Sequence, residues 1–191
     1  INKTENSRYF FQSLNSDPRF ELAYHGTTHG VPAIDESEFI QEWDTYKSID
    51  EAIQTINRGK TIYKDVFGID PSGGKYCGYV SNQFSDQSID LSGFVWWCRY
   101  YNRGAMDGSH TKTVHGDDSN PLTSFDIKYF GKKKVIDIPT TVSGDLLNFV
   151  FRSTGGIKGL IKKSFRALII RYKLREIDFL IKNNLVISIQ E

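Results

Sequence analysis

Cysteine is scarce in this 191-residue chain, and neither sign of charge prevails. Two cysteines, Cys77 and Cys98, are too few for a disulfide framework and lack the paired spacing of a metal finger. They read either as two half-buried thiols or as one disulfide closing a loop of about 20 residues. The latter would contribute roughly 3 kcal/mol and imply an oxidising compartment, and the sequence leaves both readings open. With 24 basic against 23 acidic side chains, the net charge of +1 excludes a nucleic-acid scaffold held by charge alone, and an acidic tail. No run of some eighteen apolar residues occurs, so no transmembrane helix and no membrane insertion are expected. No signal-peptide pattern is visible and the sequence opens on Ile1, so the expectation is a mature product or a piece of something longer. No delivery domain is legible.

What the chain does have is 39% hydrophobic and 14% aromatic residues, enough to bury a core in one domain spanning 1–191. No internal repeat or low-complexity linker divides it. Residues 5–16 read as a polar helix with Phe10, Phe11 and Leu14 on one side. The run FELAY, Phe20 to Tyr24, reads as a strand entering a turn at His25-Gly26-Thr27-Thr28. Residues 30–47 read as a loop. Ser48 and Glu51 form a capping box, Ile49, Ala52, Ile53 and Ile56 follow on one face, and Gly59 marks the expected stop. A turn at Pro71–Gly74 leads to an expected strand at Tyr76–Ser81, then to a helix from Asp86 to Tyr101. Residues 102–123, rich in Gly, Asp, Asn and Ser, read as a long surface loop. Lys132–Ile138 alternates as a strand, and Leu146–Phe151 reads as a helix ended by Gly155-Gly156. Arg166–Tyr172, Glu176–Ile181 and Leu185–Ile189 read as strands. The fold class is α+β, with strands dominating the second half.

Three segments can carry chemistry. Tyr24-His25-Gly26-Thr27 ends an early strand, and Gly26 would let a ligand approach the backbone; the plainer reading is a structural turn. Gly78-Tyr79-Val80-Ser81-Asn82 breaks into an expected helix bearing Phe94, Trp96, Trp97, Tyr100 and Tyr101; the plainer reading of that stripe is core. Arg175-Glu176-Ile177-Asp178-Phe179 follows an apolar run; the plainer reading of its charged pair is a solvated edge.

In their order, ELAYHGTTHG, IDEAIQTINRG, GYVSNQFSDQSIDLSGF and RALIIRYKLREIDF resemble the catalytic domain of the diphtheria-toxin-like ADP-ribosyltransferases over residues 20–181. The resemblance implies a split β-sandwich core with helices packed on it, and cleavage of the nicotinamide–ribose bond of NAD through an oxocarbenium-like transition state. It implies that Tyr24, His25, Gly26 and Thr27 hold NAD, with His25 on the adenosine-side ribose. Tyr79 or a ring of the following helix would stack on nicotinamide, with Ser81 in the same motif. Glu176 would bind the nicotinamide-ribose 2′-OH as positive charge develops, with no metal. Asp178 and Glu191 are carboxylates that another register could present instead. Val80 stands where this branch often has Tyr, Ser81 matches the first position of the cholera-like Ser-Thr-Ser run, and Leu174 stands where arginine-modifying members carry Glu or Gln.

The implied activity is mono-ADP-ribosylation of a macromolecule, a host protein before nucleic acid, by a secreted or host-delivered toxin or effector. NAD glycohydrolysis is the alternative within the fold, and nucleic-acid modification would draw on the basic stretch Lys158–Arg175. Outside catalysis, Trp96, Trp97 and Tyr100 would anchor a binding module. Residues 102–123 would then recognise the target. A metal site on His25 and His29 is set aside because their spacing of four suits a helix face, and Gly26, two threonines and Gly30 disfavour a helix there. Cys98 as a nucleophile has only His110 and His115 after it, both in the expected loop.

Overall fold

The computed structural model describes residues 5–32, 39–99, 126–143 and 156–190, so the expectations for 102–123 and Leu146–Phe151 lie outside the described residues. The fold is α+β. The chain forms two compact units, the first of Ile1–Arg99 with Lys128–Asp137, the second of Tyr100–Ile127 with Ile138–Glu191.

In the first unit, α1 (Glu5–Ser16) forms where its sequence predicts. It docks on α2 (Ile49–Phe67) through Arg8 on Asp65 at 2.8 Å and the edge-on rings of Phe11 and Phe67. The capping box forms as read: the Glu51 N–H donates to Ser48 Oγ at 3.1 Å, and the Glu51 carboxylate accepts from the Lys47 N–H. The expected stop at Gly59 is corrected, because α2 runs on to Phe67 and ends at Gly68, whose φ of +83° makes the left-handed cap. Gly59 serves packing instead. A side chain there would run into the Tyr24 hydroxyl and Thr27 Oγ1.

This unit holds a four-stranded sheet made of β3 (Gly73–Lys75), β4 (Trp96–Cys98), β5 (Lys128–Phe130) and β6 (Val135–Asp137), in the order β3-β4-β6-β5. β3, β4 and β6 run parallel, and β5 is antiparallel to β6. Three expectations are corrected here. FELAY contributes only a parallel bridge from Tyr24 to Gly74 (Tyr24 N–H to Gly73 O 2.9 Å, Lys75 N–H to Tyr24 O 3.1 Å). No strand forms over Tyr76–Ser81: the strand lies just before it, at Gly73–Lys75, where the bare glycine backbone lets Tyr24 and Trp96 approach β3, and Cys77–Tyr79 is a 3₁₀ turn. The expected aromatic helix ends early, as α3 (Ser85–Leu91), and Trp96 and Trp97 enter β4; Tyr100 and Tyr101 lie outside the described residues. Strand Lys132–Ile138 is present as its central part, β6.

The core is aromatic. Trp43 is fully buried and meets Tyr76 at 5.1 Å, Trp97 at 5.3 Å and Tyr46 at 5.6 Å between ring centroids, all edge to face. Each such pair adds about 0.5–1.5 kcal/mol beyond the area it buries. Buried Arg99 donates to Asp86 and to Asp137 and lies 4.4 Å over the Phe130 ring. Burial pushes the Asp137 carboxyl above its usual range against the pull of Arg99.

The region expected as a loop at 30–47 contains a short hairpin, β1 (Gly30–Pro32) with β2 (Phe39–Gln41), and a 3₁₀ turn at Glu42–Asp44. In the second unit, Val142–Ser143 (β7) pairs in parallel with Ile189–Gln190 (β8), and one long helix, α4, spans Gly156–Lys182. The strands expected at Arg166–Tyr172 and Glu176–Ile181 are therefore corrected to helix. A short apolar run does not separate strand from helix by itself; the absence of Gly and Pro across 160–182 does. Among the described residues no helix is long and apolar enough to cross a membrane.

Burial raises the Tyr63 hydroxyl to about 12, with Glu21 adding to it, and raises the Cys98 thiol to about 11, with Asp137 adding to it. The unfolded chain loses these protons first, from about pH 9 upward, so their contribution to stability is complete below pH 9 and is lost as pH climbs toward 12. Thermal melts should show Tm falling steadily across that window. A Tm unchanged between pH 9 and 11 would contradict the assignment.

Candidate functional site

The Tyr24–His29 loop has no helical or strand hydrogen bonding of its own beyond the Tyr24 bridge, so its backbone needs acceptors from elsewhere. Glu42 supplies them. Its side chain, 2% exposed, accepts from the N–H groups of Thr27 (2.7 Å), Thr28 (2.5 Å) and His29 (3.1 Å), from Thr28 Oγ1 (3.0 Å) and from the Tyr46 hydroxyl (2.9 Å). Three consecutive N–H groups curled round one carboxylate are an anion nest whose anion belongs to the chain itself. His29 takes φ +65° to complete the curl. Gly26 is required twice over: its φ is +116°, and a Cβ there would sit 2.9 Å from Glu42 Oε2 and 3.1 Å from Cys77 Sγ.

Tyr24 is buried, its ring in the aromatic core and its hydroxyl 2.7 Å from Thr27 Oγ1, which in turn donates to Thr55 O at 3.0 Å. Burial drives the Tyr24 hydroxyl well above its ordinary range. The His25 ring is half-buried, with Nδ1 3.2 Å from Lys75 O. A carbonyl can only accept, so the proton sits on Nδ1 and Nε2 carries the lone pair. Burial first, then the Lys75 charge, holds this imidazole below its usual range. Tyr24, His25, Gly26 and Thr27 line a cleft of about 210 Å³ together with Gly59 and Tyr63 from α2. Pockets that enclose a whole small-molecule ligand run to roughly 300–1,000 Å³, so this cleft suits one ring of a larger molecule.

Tyr79 follows Gly78 in the left-handed region (φ +56° and +57°), an uncommon conformation for a bulky residue and a form of local strain. Lys75 Nζ lies 5.0 Å over its ring. Ser81 is partly buried just beyond. The alternative stacking rings are displaced from the expected helix: Phe94 and Trp97 are both buried in the core of the first unit. Trp97 is equally unsuited to anchor a partner. Glu176 is not beside a buried strand but inside α4, in the second unit. In a strand, positions 176 and 178 would share a face; in a helix they stand roughly 200° apart, so Asp178 is no longer a register neighbour. Cys77 and Cys98 are free thiols.

Glu42 falls in the stretch 30–47, which reads as loop from sequence, and no local pattern marks it as a site residue. The sequence offers only a weak sign, an acid directly before Trp43 in a run that also holds Glu38, Gln41 and Asp44. Comparison with protein-family models, with curated proteins and with solved structures found nothing that matches this chain.

Replacing Glu42 by Gln keeps the shape and removes the charge that several donors share. The expected loss is about 1.5–3 kcal/mol of stability, and more for Glu42→Ala, which takes away the acceptor of three N–H groups and two hydroxyls. Denaturant unfolding measures both; a Glu42→Ala protein as stable as wild type would contradict the role given to this carboxylate.

Proposed function

We propose that the chain is an ADP-ribosyltransferase that takes NAD as donor and modifies a macromolecule. The observation that carries this reading is the concentration of Tyr24, His25, Gly26 and Thr27 along one cleft, with the His25 tautomer fixed by Lys75 O. With Nδ1 donating, Nε2 is the acceptor for a ribose hydroxyl, and Gly26 offers backbone without a side chain. The cleft volume fits one ribose or base of NAD. Strain at Tyr79 is consistent with a ring held for stacking, at a cost of order 1–3 kcal/mol.

In the proposed reaction the C1′–N bond to nicotinamide breaks, the bonding pair leaves with the ring, and the cationic pyridinium becomes neutral. The ribose passes through an oxocarbenium ion. An acceptor nucleophile bonds to C1′ and loses its proton, and the family resemblance alone assigns to Glu176 the hydrogen bond accepted from the 2′-OH. The role of Glu176 rests on the family resemblance, as do a split β-sandwich core and delivery to a host cell. The helical setting of Glu176 departs from that resemblance.

Nicotinamide release from NAD by the purified chain tests this. Glu176→Gln should lower turnover by about two to three orders of magnitude, the scale of a lost transition-state contact. His25→Ala should weaken NAD binding. Absence of both NAD binding and turnover in the wild-type protein would refute the proposal.

A further inference from the structure

We infer that His25, His29 and Cys77 form a binding site for Zn²⁺ or a cation of like softness. The spacing of the two histidines suits a helix and they are not on one, but the curl imposed by Glu42 brings their rings together anyway, 5.0 Å between centroids. Cys77 arrives from the 3₁₀ turn after β3, and one potential ligand atom from each of the three residues lies within 4.8 Å of the others. All three belong to the first unit.

The donor set decides the chemistry. Two imidazoles and one thiol suit zinc and are the wrong ligands for Mg²⁺ or Ca²⁺, which take oxygen. Zn–N bonds of about 2.0–2.1 Å and a Zn–S bond of about 2.3 Å put ligand atoms about 3.3–3.7 Å apart in a tetrahedron. Closing from the present separations asks for roughly an ångström of side-chain movement. His29, the exposed member, can supply it by changing rotamer. Three protein ligands with one of them at the surface leave the fourth position to water.

The supporting groups are also present. A zinc-bound histidine ordinarily donates its second ring N–H to a carbonyl or carboxylate, and His25 Nδ1 already donates to Lys75 O. Glu42 fixes the backbone of His29 through its N–H. The Cys77 thiol donates to the His25 carbonyl. On binding, the S–H proton goes to solvent, that hydrogen bond is given up, and the thiolate bonds to the metal. Because His25 is shared, zinc would exclude NAD from it; that consequence rests on the proposed function, whereas metal binding does not.

Co²⁺ added to the chelator-stripped full chain tests the site in the absence of NAD. The expected result is one tightly bound equivalent with the intense visible d–d absorption of tetrahedral Co²⁺ and a near-ultraviolet thiolate-to-cobalt charge-transfer band, both abolished by one equivalent of Zn²⁺. Cys77→Ser should remove the charge-transfer band. His29→Asn leaves the buried thiol untouched, tolerates the positive φ, and should weaken binding at least tenfold. Weak octahedral absorption only, or wild-type affinity in a folded His29→Asn protein, would overturn the inference. Nicotinamide release plays no part in this readout, so the two proposals fail separately.

Discussion

One buried carboxylate organises the candidate site. Glu42 accepts hydrogen bonds from three successive backbone N–H groups and two hydroxyls, and without it the three N–H groups of the Thr27–His29 turn would lose the acceptor they share. The consequences spread outward from this pairing. Gly26 has to be glycine because the carboxylate and Cys77 Sγ fill the space a Cβ would need. Thr27 is drawn against Tyr24 and α2, so Gly59 must be bare. Tyr46, whose hydroxyl donates to the same carboxylate, is driven far above its ordinary ionisation range by burial and by that negative charge.

The parts of the fold written locally were legible. The Ser48–Glu51 capping box and helix Glu5–Ser16 depend on side chains reaching a few residues along the chain, and both are where the sequence puts them. What failed depended on distant partners. Gly59 carries a stop signal, but its packing against Tyr24 outweighs the helix propensity of roughly 1 kcal/mol that glycine forfeits. Gly73-Gly74 resembles a turn until Trp96 and Tyr24 are known to lie across it. The run RALIIRY satisfies a buried strand and a helix alike, and only the uninterrupted length from Gly156 to Lys182 distinguishes them.

The same division applies to the site. Tyr24-His25-Gly26-Thr27 was visible because four adjacent residues form it. Its anion lies 15 residues away from Thr27, and the thiol beside His25 lies 52 residues away. Periodicity has no means of joining such positions. The histidine pair shows the limit of spacing arguments: four residues bring two rings together on a helix, and a turn closed round a carboxylate does so as well. The two proposals, sugar recognition and metal ligation, both call on one imidazole, whose tautomer is set by the Lys75 carbonyl.

Amide hydrogen exchange at Thr27, Thr28 and His29 tests the central claim most directly. If Glu42 holds the loop, these three N–H groups exchange as slowly as the buried amides of α2, although they lie outside regular secondary structure. Exchange at the rate of an unprotected loop in the wild-type protein would contradict the account.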